Sequence, residues 1–219
     1  MNITDRLDEF SAYCNNQLES IEQLSAPNHE TLFRKKLYIS FLESLAKAAF
    51  PAEGVKKRFI KFLDEFTDWK EWNHCCPVHL CKDSSLEKHI KEILDSDWYV
   101  DIEKVSINDE NCKYTYASLL YDVRNNIVHQ FQASTEWEAS MQRHKIESPF
   151  YEVVVTKVFD ENSKNLRDDK KHIELVFPNT FLKKLSEDGL ENFIGYCRTE
   201  QINPFPGYYA ERIVHEEKL

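Results

Sequence analysis

Apolar residues recur at three- and four-residue steps at the start of the chain: Ile3, Leu7, Phe10, Cys14, Leu18 and Ile21. That period places them on one side of a helix, so an amphipathic helix is expected over residues 4–25, with Thr4 positioned to cap it. Pro27 and Asn28 punctuate it. A second helix is expected over 29–49, with Leu37, Phe41, Leu45 and Ala48 along one face. Pro51 and Gly54 break that one, and Phe59, Phe62, Leu63, Phe66 and Trp69 mark a third over 56–72. An irregular stretch around Pro77 leads to a fourth helix over 85–94, and 114–131 reads as a fifth. At 150–159 the pattern changes, because Tyr151, Val153 and Val155 are of the aromatic and β-branched types that favour strands. A charged link over 160–171 joins this strand to another at 172–177, giving an antiparallel hairpin with a long loop. A final helix is expected over 179–200, and Pro204-Phe205-Pro206-Gly207 begins an extended tail.

The expected architecture is therefore a mainly α single domain over 1–219. A helical bundle fills 1–149, and an antiparallel β-hairpin plus a C-terminal helix extend it over 150–219. Composition sharpens this. Only 4 of the 219 residues are glycine, against roughly 7% on average. Neither a P-loop nor a dinucleotide-binding glycine pattern occurs. No apolar run approaches the roughly 18 residues of a membrane span, and Met1 leads into polar sequence, so a cytoplasmic protein that does not engage membranes is expected. The net charge of −10 disfavours binding nucleic acid through the whole surface, and DNA is not an expected partner. A nucleic-acid role needs a local basic patch, for which Arg34-Lys35-Lys36, Lys56-Lys57-Arg58, Lys170-Lys171 and Lys183-Lys184 are the candidates. Each also reads as an ordinary solvated helix or turn face.

The fifth helix carries the chemistry. At 3.6 residues per turn, Tyr116, Leu119, Leu120, Val123 and Ile127 form a core stripe. Tyr121, Arg124, Asn125, Val128 and His129 form a second stripe facing away from it. A surface helix would carry Glu and Lys there; this one carries a cation, an amide, an imidazole and two partly apolar residues. Asn125 and His129 are an i, i+4 pair, whereas Arg124 and His129 are five apart, roughly 140° around the helix. A guanidinium binds phosphate oxygens in a fork and an imidazole moves protons near neutral pH, so the two groups together suit metal-free cleavage of RNA by its own 2′-hydroxyl. The alternative is that Arg124 ion-pairs with a carboxylate while His129 closes the helix terminus.

The segment Arg124-Asn125-Asn126-Ile127-Val128-His129 resembles the Arg-x4-His signature of the HEPN superfamily, whose Arg is typically followed by a polar residue, here Asn125. The resemblance covers the helical region to about residue 135. It implies a homodimer whose paired motifs build one cleft, and a metal-independent endoribonuclease, without cofactor, of the kind found in toxins and antiviral defence. The roles it implies are phosphate binding or active-site organisation for Arg124, proton transfer for His129 and support for Asn125, with Tyr121 and Val128 lining the cleft. RNA is the expected partner, alongside a possible antitoxin or regulatory protein. Other branches of the superfamily bind or scaffold without cleaving, which is the alternative function. Some toxins of the family carry a Tyr two residues after the His, where a nucleotidyltransferase modifies it; here that residue is Phe131, which excludes modification at that site. A second Arg-x4-His match, Arg167 to His172, lies in the charged link without a core stripe behind it.

The run His74-Cys75-Cys76-Pro77-Val78-His79-Leu80-Cys81 is the competing constellation. Cys76, His79 and Cys81, with His74 or Cys75, have the ligand types for zinc, although structural sites usually draw two ligand pairs from separate segments. The six cysteines are otherwise expected as reduced thiols rather than as a disulfide framework. Trp69, Trp72, Trp98 and Trp137 read as core aromatics more readily than as base-stacking platforms.

Overall fold

The apolar step of the first helix closes a buried stripe. In α1 (Ile3–Glu22) the residues Leu7, Phe10, Cys14, Leu18 and Ile21 are all buried. The structure, a computed structural model, describes residues 3–25, 30–80, 91, 93, 95, 99–109, 112–130, 147–160 and 165–204. The elements that follow are α2 (Glu30–Ala49), α3 (Val55–Phe66), a 3-10 turn (Pro77–Leu80), β1 (Tyr99–Asp101), α4 (Ile102–Val105), α5 (Tyr116–Gln130), β2 (Phe150–Asp160), β3 (Asn165–Val176) and α6 (Asn179–Glu200). The chain is thus mainly helical with a small antiparallel sheet of order β1-β2-β3. The helix expected over 85–94 falls largely outside the described residues; Lys91 and Ile93 within it are helical. Among the described residues no helix is long and apolar enough to cross a membrane.

The chain divides into two compact units: 1–69 with 183–219, and 70–182. The hairpin falls in the second unit and most of the C-terminal helix in the first.

In the first unit, α2 buries Phe41 and Leu45 as expected, but its inward face is rotated relative to the expected stripe. Tyr38, Phe41, Leu42, Leu45 and Ala46 are buried, whereas Leu37 is 40% exposed. Phe62, Phe66 and Phe193 form an aromatic cluster with ring centroids 5.2–6.1 Å apart. Helix α3 stops at Phe66, short of residue 72, because Thr67 turns extended and side chains take over the last carbonyls. The Thr67 hydroxyl donates to the Leu63 carbonyl at 2.6 Å, and the Asn192 amide donates to that of Phe66 at 3.2 Å. Polar ties fix the other end. Arg34 donates to the carbonyls of Glu22 and Leu24 at 2.7 and 3.0 Å, capping the C-terminal end of α1. The Glu22 carboxylate accepts from the Tyr38 hydroxyl and from Lys183 at 2.9 Å. Burial alone would raise the Glu22 pKa, but these two hydrogen bonds together with the Lys183 and Arg34 charges outweigh it and hold the carboxyl below its usual value. Helix α6 ends where Gln201 takes a left-handed φ of 54° and the Ile202 N–H reaches back to the Cys197 carbonyl at 2.9 Å.

In the second unit, β3 starts at Asn165, seven residues before the strand expected at 172–177. The Val153–Phe159 run of β2 needs a backbone partner whatever side chains that partner carries, and the charged segment supplies one. Asp169 is the extra residue of an irregularity between the pairs Thr156↔Lys170 and Lys157↔Asp168. A bulge and charged residues at the outer strand of a sheet are the usual guards against edge-to-edge association. Strand β1, too short for any alternation to show in sequence, pairs Tyr99 with Glu152 and Asp101 with Phe150.

Gly189 in α6 is required by space. A Cβ there would sit 2.9 Å from the Phe62 ring, which is fully buried in the aromatic cluster. Gly189→Ala is therefore expected to lower stability by about 1–2 kcal/mol despite the better helix propensity of alanine; chemical denaturation measures it.

Glu152 lies directly opposite Glu174. Burial raises its pKa, and the Glu174 charge adds to that. A carboxyl raised in the folded state contributes stability below its unfolded pKa and loses it as pH rises through the folded value. Glu152→Gln is accordingly expected to stabilise the second unit by about 0.5–1 kcal/mol at pH 7 and to change little at pH 4, read as Tm against pH.

Candidate functional site

Helix α5 is anchored by its N-terminus. The first N–H groups of a helix lack intrahelical partners, and here each is accounted for. Tyr116 N donates to the His74 carbonyl at 3.0 Å, Ala117 N to the Trp72 carbonyl at 2.9 Å and Ser118 N to the Thr115 hydroxyl at 3.2 Å. Thr115 is thus the cap. Tyr116, Ala117, Ser118, Leu119 and Leu120 are all buried, so the first turn is enclosed rather than two-faced. Val123, expected in the core stripe, is half-buried, and the Ile127 side chain lies outside the described residues.

Beneath that turn lies a buried polar chain. The Tyr151 hydroxyl donates to Cys76 Sγ at 3.0 Å, so the Tyr116 hydroxyl, 2.9 Å away, donates to Tyr151. Burial pushes the pKa of both phenols up, which keeps them protonated and able to donate. Loss of one member leaves a buried partner unsatisfied. Tyr151→Phe is expected to cost about 1–3 kcal/mol, and the Tyr116→Phe/Tyr151→Phe double variant less than the sum of the single changes; urea unfolding of the four proteins tests this.

Further along α5 the surface opens. Tyr121, Arg124 and Asn125 are half-buried and cluster locally. The Arg124 guanidinium donates to Asn125 Oδ1 at 2.9 Å and lies 5.8 Å from the centre of the Tyr121 ring. The structure therefore brings together three of the five residues expected in the second stripe, with the Asn125 amide accepting from the Arg124 guanidinium. The backbones of Val128 and His129 continue the same helix; their side chains lie outside the described residues, as does Phe131. The second Arg-x4-His match is drawn out. Arg167 and His172 sit in β3 opposite Val158 and Val154, about 13 Å apart along the ribbon.

Several residues of the basic runs are tied into the fold. Lys35 is buried, Arg34 caps α1 and pairs with Glu30 at 2.7 Å, and Lys57 pairs with Glu53 at 2.7 Å. Arg58 lies 3.9 Å from Glu43, and Lys183 is held by Glu22. The side chains of Lys170 and Lys171 lie outside the described residues.

The cysteine cluster differs from expectation. Cys75 and Cys112, 37 residues apart, form a disulfide. Sequence spacing did not signal the pair because backbone pairing brings it together: Cys75 bridges both Ile107 and Thr115. Cys76 is buried against Tyr151, and His74 Nδ1 lies 3.1 Å from the Ser106 hydroxyl. Of the zinc set, the His79 side chain and Cys81 lie outside the described residues. Among the described residues no three His, Cys, Asp or Glu side chains are grouped to hold a metal. Cys14 and Cys197 are buried thiols, pushed up to about 12 and about 11 by that burial. Trp69 is a core residue, as expected.

No family model, curated protein or solved structure matches this chain.

Proposed function

We propose that the chain is a HEPN-type, metal-independent endoribonuclease that works as a cytoplasmic homodimer in a toxin or phage-defence role. The observation that supports this reading is the continuity of α5. Arg124 and His129 lie on one unbroken helix whose first turn is fixed in the core. The reactive positions are thus presented on a rigid rod, about 7.5 Å apart along its axis. In the proposed reaction, His129 takes the proton of an RNA 2′-hydroxyl and the oxygen attacks the adjacent phosphorus. The 5′-oxygen of the next nucleotide leaves with the proton that the His129 imidazolium gives back, giving a 2′,3′-cyclic phosphate and a 5′-hydroxyl. Arg124, steadied by Asn125 and Tyr121, neutralises charge developing on the phosphate oxygens. Because the chain is acidic, substrate attraction falls to this cleft and to the Arg124 of each protomer.

One observation favours the second reading, a noncatalytic module that binds RNA or nucleotide or holds a dimer: a donor of Arg124 is already engaged by Asn125. Incubation with RNA in EDTA separates the two. Cleavage is expected to persist in the chelator, to leave 2′,3′-cyclic ends, and to fall on the order of 10²–10⁴-fold in both Arg124→Ala and His129→Ala. Intact RNA, with wild type and variants all dimeric by light scattering, would establish the binding module instead.

A further inference from the structure

We propose that Cys75 and Cys112 form a thiol–disulfide switch that clamps the N-terminal end of α5. The segment 72–76 supplies the carbonyls that receive the first two N–H groups of the helix, and Cys112 lies four residues before its first residue, Tyr116. The bond therefore ties the cap-bearing segment to the chain that enters the helix. Backbone pairing already aligns the two partners. Cys75 N donates to the Ile107 carbonyl at 2.8 Å and Cys76 N to that of Tyr114 at 3.0 Å. The Cα atoms of Cys75 and Cys112 are 5.8 Å apart, within the range a disulfide spans. Oxidation and reduction thus need no rearrangement of the backbone around them.

The two sulfurs are not equivalent. Cys75 is fully buried and Cys112 is half-buried, so an attacking thiolate reaches Cys112. A dithiol reductant forms a mixed disulfide with Cys112 Sγ and expels the Cys75 thiolate, which takes a proton. The second thiol of the reductant then closes its own ring and releases Cys112 as a thiol. Two electrons and two protons pass from the dithiol to the pair. Cys14, Cys76 and Cys197 are buried free thiols. In a reducing compartment a bond so placed is transient and reports on redox state; in an oxidising one it persists. Its effect on RNA cleavage rests on the assignment of Arg124 and His129 above, whereas the clamp on α5 does not.

The test compares full-length protein prepared without reductant, the same protein treated with dithiothreitol, and Cys112→Ser. Peptide mapping is expected to find Cys75 joined to Cys112 before reduction and both alkylated after it. Hydrogen exchange of the α5 amides is expected to accelerate roughly 10²-fold on reduction, to return on reoxidation, and to be fast and insensitive to dithiothreitol in Cys112→Ser. RNA cleavage, read in parallel, is expected to drop about tenfold in the reduced protein. Should the α5 amides exchange equally in both states, or should the reduced thiols carry stoichiometric zinc, the switch is wrong. If exchange responds but RNA stays intact in every sample, the clamp stands and the nuclease reading falls, so the two failures are distinguishable.

Discussion

The second unit depends on the unmet hydrogen-bonding demand at the start of one helix. An α-helix that begins inside a core brings N–H groups that water cannot reach, and leaving each unpaired costs on the order of 1–3 kcal/mol. At α5 the carbonyls of Trp72 and His74 and the Thr115 hydroxyl meet that demand. The same requirement is met because residues 72–76 leave the helical path as a turn that ends in a bridge at Cys75, although α3 was expected to continue to 72. A helix there would keep its carbonyls for itself.

Once 72–76 is laid against the helix start, other contacts follow from it. Cys75 comes beside Ile107, Thr115 and Cys112, and Cys76 comes under Tyr151. Tyr151 belongs to β2, so the phenol–thiol chain joins helix, loop and sheet, its two phenols kept protonated by burial. The turn bearing Tyr121, Arg124 and Asn125 continues from this fixed base into a half-exposed setting.

Much of the fold was legible because helical periodicity is local. The stripe in α1, the bounds of α2 and α6 and the change to strand at 150 all stand where spacing put them. Where neighbours decide, spacing failed. The inward face of α2 is rotated so that Leu37 is exposed, the charged residues 165–171 are strand, and β1 gave no alternation to read. Each miss has a common cause: backbone hydrogen bonds and the shape of a facing surface overrode the residue's own preference.

By itself the sequence determined that the protein is mainly helical with a β-hairpin, and that Arg124, Asn125 and His129 share one helix, since 3.6-residue periodicity follows from covalent geometry alone. Only the tertiary structure decided that Arg34 caps α1, that Lys183 pairs with Glu22, and that Cys75 meets Cys112. Those facts depend on which segments lie side by side, and partners tens of residues apart leave no periodic trace in the chain.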